Sequence, residues 1–171
     1  MFILSIIRRY QYIKKLDSLT FPEKPIPLKI VLRGKGPAAY WKDVKKRGEK
    51  ITKEWYEVAI ITRSGNDFSR AVHEVRHRVQ WYYPEMALFT KDKLIEIQRK
   101  NPQQAIQQSL DYLEAVEKKY QESLPELEQD AVIMAKLIEQ KCQAEHDSLE
   151  TASQWIKQTP EILLSPFFSS P

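Results

Sequence analysis

A chain of 171 residues, 42% hydrophobic and 29% charged, has the length of one core-burying domain and a balance that excludes a wholly disordered protein. The net charge of +4 is mild, and its basic cluster (Lys42, Lys45, Lys46, Arg47, Lys50, Lys53) comes without an aromatic RNA-binding signature or helix-turn-helix spacing, so it reads as solvated surface and nucleic acid is not the expected partner. A single cysteine, Cys142, excludes an internal disulfide, and a cytoplasmic, reducing setting is expected.

Residues 1–17 carry Ile3, Ile6, Ile7, Tyr10 and Ile13 at helical spacing, which predicts a helix packed on the domain. Its apolar start is too short to span a membrane and lacks the order of charges and the cleavage site of a signal peptide, so no transmembrane segment is expected. Pro22, Pro25 and Pro27 break the pattern. Leu28 to Leu32 reads as a strand closed by Arg33-Gly34-Lys35-Gly36-Pro37, and residues 38–54 are ambiguous. Trp55 to Thr62, aromatic and β-branched, is the clearest strand, so a small sheet of two strands is expected.

After the turn at Ser64 to Asp67, Asn66 or Asp67 is placed to cap a helix with Phe68, Val72, Val75 and Val79 on its apolar stripe. Pro84 marks its end. Further helices are predicted over 91–100, 102–120, 124–146 (with Pro125 at its first turn) and 148–158, and residues 159–171 have the composition of a tail. The expected fold is α+β: a mostly helical single domain over 1–171, with its core over about 26–146 and a small β-sheet preceding the helix that begins near residue 67.

On that helix, His73 and His77 lie four residues apart on one face, so their imidazoles can converge on one ion, with Glu74 beside them to take a proton from a water the ion activates. A catalytic zinc wants three protein ligands and an open position. Cys142 and His146 lie at the far end of the 124–146 helix, about 30 Å from its start at 1.5 Å per residue. At that start Glu126 and Asp130 share the stripe of Ile133 and Leu137, whereas Glu128 lines up with Gln121 and Glu139, so Glu126 and Asp130 are expected to face inward. The bland alternative is a helix N-terminus made acidic to suit its dipole.

His73-Glu74-x-x-His77 followed by Glu126-x-x-x-Asp130 resembles the gluzincin metallopeptidases, and the longer form with Arg76 and Gln80 also looks like small bacterial and phage peptidases. The resemblance covers about residues 55–140. It implies a zincin-like domain with His73, His77 and Glu126 as zinc ligands, Glu74 as general base, and Asp130 as the acid that orients a zinc histidine. It further implies that the strand before the helix is an edge along which an extended peptide binds. Gluzincins commonly add a His or Tyr that stabilises the oxyanion, and here Tyr82, Tyr83, Tyr112, Tyr120 and Arg76 are the candidates.

The expected function is therefore zinc-dependent hydrolysis of a peptide or protein substrate. Two other readings compete with it: a non-catalytic zincin-fold binding or regulatory protein, and a basic helical protein that binds nucleic acid or a partner and carries the motif by accident. The sequence specifies neither a cleavage preference nor an oligomeric state.

Overall fold

Nine elements follow one another in the computed structural model, which describes residues 2–23, 27–33, 40–48, 50–61, 66–145, 149–159, 162 and 164. They are α1 (Phe2–Thr20), β1 (Leu28–Arg33), β2 (Tyr40–Arg47), β3 (Lys50–Ile61), α2 (Asp67–Tyr82), α3 (Lys91–Lys100), α4 (Gln104–Tyr120), α5 (Glu126–Glu145) and α6 (Leu149–Trp155). The fold is α+β and mostly helical, with the small sheet preceding α2, as the sequence predicts.

The sheet has three strands rather than two, in the order β1-β3-β2. β1 runs parallel to β3, with Leu28 opposite Tyr56, and β2 runs antiparallel to it, with Lys42 also opposite Tyr56. Within the ambiguous stretch, residues 40–47 thus form β2 and residues 50–54 begin β3. The lysines of β2 hide the strand pattern, but pairing with β3 satisfies its backbone across a hairpin in which Gly48 takes φ +63°, a left-handed conformation that suits glycine. The expectation that the Trp55 to Thr62 strand is an edge is corrected by the topology: β3 is central, hydrogen-bonded on both sides, and the edges belong to β1 and β2. Thr62 itself lies outside the described residues.

The core runs from Ile13 and Leu16 of α1, through Val58 of β3 and Val72, Val75 and Val79 of α2, to Ile133 and Leu137 of α5 and Ala152 of α6. Leu164 is also fully buried, so one residue of the expected tail belongs to the core. α2 lies between α1 and α5 and is buried on most of its circumference, although many of the side chains concerned are charged. The two buried arginines each have an opposite charge on a neighbouring helix, which is what removal from water requires. Arg78 pairs with Asp17 of α1 at 3.0 Å and lies over the rings of Phe21 and Tyr82, and Arg76 pairs with Asp130 of α5 at 2.7 Å.

Asn66 starts α2. Its Oδ1 accepts from Phe68 N and Ser69 N, while its Nδ2 donates to Glu139 of α5. At the other end, α5 begins with Glu126, and the carbonyl of Pro125 accepts from Gln129 N. Among the described residues no helix is long and apolar enough to cross a membrane.

Candidate metal centre

α2 and α5 bring three electron-rich side chains to one point. His73 and His77, one turn apart on α2, place their Nε2 atoms 3.1 Å from each other. Glu128 of α5 reaches both, with Oε1 3.1 Å from His77 Nε2 and Oε2 3.4 Å from His73 Nε2. Ligand atoms bound at 2.0–2.2 Å around a tetrahedral zinc stand about 3.3 Å apart. The two imidazole nitrogens, 3.1 Å apart, match one edge of such a tetrahedron, and Glu128, with one oxygen 3.1 Å from His77 and the other 3.4 Å from His73, stands close enough to supply a third ligand atom. Among the described residues this is the one group of three metal-type side chains whose ligand atoms approach one another so closely.

The donor set also needs a proton or a metal ion among its members. Gln80 Oε1 lies 2.9 Å from His77 Nδ1, and the Gln80 amide nitrogen is committed to two acceptors, Leu127 O at 2.8 Å and Asp130 Oδ2 at 2.7 Å. The oxygen of Gln80 must therefore face the imidazole, and His77 Nδ1 must carry a hydrogen. Neutral His77 then points the lone pair of Nε2 at a carboxylate and a second imidazole. Such convergence is repulsive until a proton or a metal ion sits among the three groups.

Their acidities reflect this. Burial works against a charged His77, but hydrogen bonding and the charge of Glu128, with help from Glu74 and Gln80, outweigh it and raise its pKa above 6.5. Partial burial likewise works against ionised Glu128, yet the hydrogen bonds and charges of His73 and His77 hold its carboxyl far below the usual carboxylate range. Exposure rises across the cluster from His77 at 2% to His73 at 18% and Glu128 at 41%, so solvent reaches it from the Glu128 side. Glu74, buried at 4%, lies near enough for its charge to act on His77.

Sequence reasoning singles out the histidine pair and Glu74, and the structure brings the pair together. It does not bring Glu126 to the pair: that residue is exposed at the first position of α5, and Glu128, assigned from helical phase to an outer face, stands at the imidazoles instead. The apolar stripe of α5 identifies the face toward the core, and Asp130 on it is indeed fully buried. A site that admits water sits beside the core, however, and the side chain that reaches it comes from the flank of the helix.

Asp130 differs from expectation in its partner. It accepts from Arg76 Nε (2.7 Å) and a terminal Arg76 nitrogen (3.0 Å), from Gln80 Nε2 (2.7 Å) and from Phe89 N (2.7 Å). It reaches His77 only through Gln80.

Arg76 also donates to Ile156 O at 2.7 Å, so its guanidinium is committed away from the cluster. Tyr82 packs 4.7 Å from Phe21, beside α1, and Tyr83, Tyr112 and Tyr120 are exposed. A cavity of about 630 Å³ at the C-terminal end of α2, lined by Tyr82, Tyr83, Pro84, Glu85, Met86 and Lys157, contains none of the three clustered side chains. Cys142 is buried in the core, and His146 lies outside the described residues.

Compared with known proteins, the chain matches no family model, no curated relative and no solved structure.

Proposed function

We propose that this chain is a zinc-dependent hydrolase acting on peptide bonds, with His73, His77 and Glu128 as the metal ligands and Glu74 as the general base. The observation that carries the reading is the cluster of His73, His77 and Glu128, whose ligand atoms all lie within 4.8 Å of one another, the two Nε2 atoms 3.1 Å apart and the carboxylate of Glu128 against both. Two imidazoles and one carboxylate form a donor set suited to zinc, leaving a fourth position for water. When bound, zinc supplies Lewis acidity that activates water and polarises a carbonyl.

The remaining tasks belong to the chain. Glu74 directly follows a ligand and is not one of the three clustered side chains; in this reading its carboxylate accepts a proton and returns it to the leaving amine. The half-exposed flank at Glu128 and His73 is the side from which a substrate enters. A cytoplasmic setting belongs to this reading, supported by the lone, buried thiol of Cys142.

A second reading, a zinc-binding protein without turnover, draws support from the engagement of Arg76 and Tyr82 elsewhere in the fold. The test is to assay the purified chain for metal content and for cleavage of a peptide library by mass spectrometry, alongside Glu74→Gln. Hydrolysis requires about one zinc per chain and cleavage that Glu74→Gln abolishes while leaving zinc in place. Stoichiometric zinc without cleavage selects the second reading, and absence of zinc from the wild-type chain overturns both.

A further inference from the structure

Gln80 takes no part in the proposed chemistry, yet it touches both halves of the cluster. Its Oε1 accepts from His77 Nδ1 at 2.9 Å, and its Nε2 donates to Leu127 O at 2.8 Å and to Asp130 Oδ2 at 2.7 Å. Leu127 and Asp130 belong to the turn of α5 that carries Glu128. One amide, itself 5% exposed, thus joins the imidazole of one proposed ligand to the backbone that presents another.

We infer that Gln80 is the positioning residue of the metal site: it fixes the tautomer of His77 and holds the Glu128 turn in register with the two histidines. The inference rests on the zinc-site reading and deepens it.

Two facts make the assignment directional. The amide nitrogen faces two acceptors, so Gln80 cannot flip without losing both bonds and placing its oxygen against a carboxylate and a carbonyl. Asp130, in turn, is held by both nitrogens of the Arg76 fork and by Phe89 N, so the group that orients Gln80 is itself fixed. The chain Arg76, Asp130, Gln80, His77 then transmits one choice: hydrogen on Nδ1, lone pair on Nε2. Without Gln80 either ring nitrogen of His77 can carry the proton, and half of those arrangements present a donor to the ion. An outer partner of this kind is worth about 10- to 100-fold in metal affinity.

Gln129 supplies the control. It is a half-buried glutamine on the same turn of α5 that also makes two bridging bonds, Nε2 to Leu124 O at 2.8 Å and Oε1 from Lys91 N at 2.8 Å, without touching the imidazoles. The experiment titrates zinc into the metal-free full chain by chelator competition for wild type, Gln80→Leu and Gln129→Leu. It also reads the His77 tautomer from ring-nitrogen NMR shifts at a pH where the imidazole is neutral. The expected result is about a 10- to 100-fold loss of zinc affinity and a mixed His77 tautomer for Gln80→Leu alone. Wild-type affinity in Gln80→Leu, or an equal loss in Gln129→Leu, overturns the assignment. Should Gln80→Leu fail to fold, the wild-type spectrum still decides, because hydrogen on Nε2 of His77 contradicts the proposal. A wild-type chain that takes up no zinc defeats the zinc-site reading, and the tautomer measurement then tests Gln80 by itself.

Discussion

Arg76 and Asp130 form a bidentate ion pair, 2.7 and 3.0 Å, in which neither side chain is exposed. The pair clamps α2 to α5 two residues beyond Glu128 and one turn before Gln80. It thereby sets the register at which the histidine helix meets the carboxylate helix. Two charges without water are tolerated because the guanidinium fork matches the carboxylate and the remaining polar atoms find Ile156 O, Gln80 and Phe89 N.

Breaking that clamp on one side leaves a buried charge without its partner. Asp130→Asn is expected to destabilise the fold by about 3–5 kcal/mol in urea unfolding, and to weaken zinc binding because Gln80 loses its anchor. An Asp130→Asn protein with unchanged unfolding midpoint and slope contradicts the assignment.

Glu128 and Glu126 give a direct comparison, since both lie in the first turn of α5 and differ in direction. Glu128→Gln replaces a carboxylate ligand by a poorly binding amide and should reduce zinc affinity by at least about tenfold. Glu126→Gln, at an exposed position, should leave it near the wild-type value. Competition with a fluorescent zinc chelator measures both, and the reverse ranking would falsify the ligand set.

The raised pKa of His77 and lowered pKa of Glu128 predict opposite pH dependences for the metal-free and metal-bound protein. Without metal, the Glu128 contribution is present above about 4.5 and lost as pH falls through its depressed folded value. The His77 contribution is present below 6.5 and lost as pH rises through its raised folded value. The pair therefore stabilises the metal-free chain most between about pH 4.5 and 6.5. Zinc must displace the His77 proton, so its affinity should climb as pH rises through and above 6.5. Melting temperatures of metal-free wild type and Glu128→Gln across this range, with zinc titrations at the same pH values, check both trends.

On the opposite side of α2, Arg78 and Asp17 are both about 1% exposed and 3.0 Å apart. Asp17→Ala is expected to cost about 3–5 kcal/mol by removing the carboxylate that faces the buried guanidinium between Phe21 and Tyr82. The double variant Asp17→Leu/Arg78→Met, which removes both charges, should regain much of that loss. Zinc affinity should change little in either, because this pair faces α1 rather than α5. A double variant as unstable as Asp17→Ala would show that packing, and not the loss of the opposite charge, sets the cost.

The helices, the first strand and the placement of His73, Glu74 and His77 on one helix were legible in the sequence because each depends on neighbours within a turn or two: apolar spacing, an asparagine cap, prolines at helix ends. The charged β2 was not legible, since its conformation is dictated by pairing with β3 and not by its own composition. Nor was the central position of β3, which depends on which strands close on either side. The choice of Glu128 over Glu126 was decided only where α2 and α5 meet. Helical phase identifies the face turned to the core, but a water-accessible cluster forms at the rim of that contact, where a longer carboxylate on the flank reaches the imidazoles and the core-facing Asp130 is taken by Arg76 and Gln80. Arg76 and Gln80 stood in the sequence beside the histidines, yet their work in locking one helix to another depends on a partner about fifty positions further along the chain, which only the tertiary fold supplies.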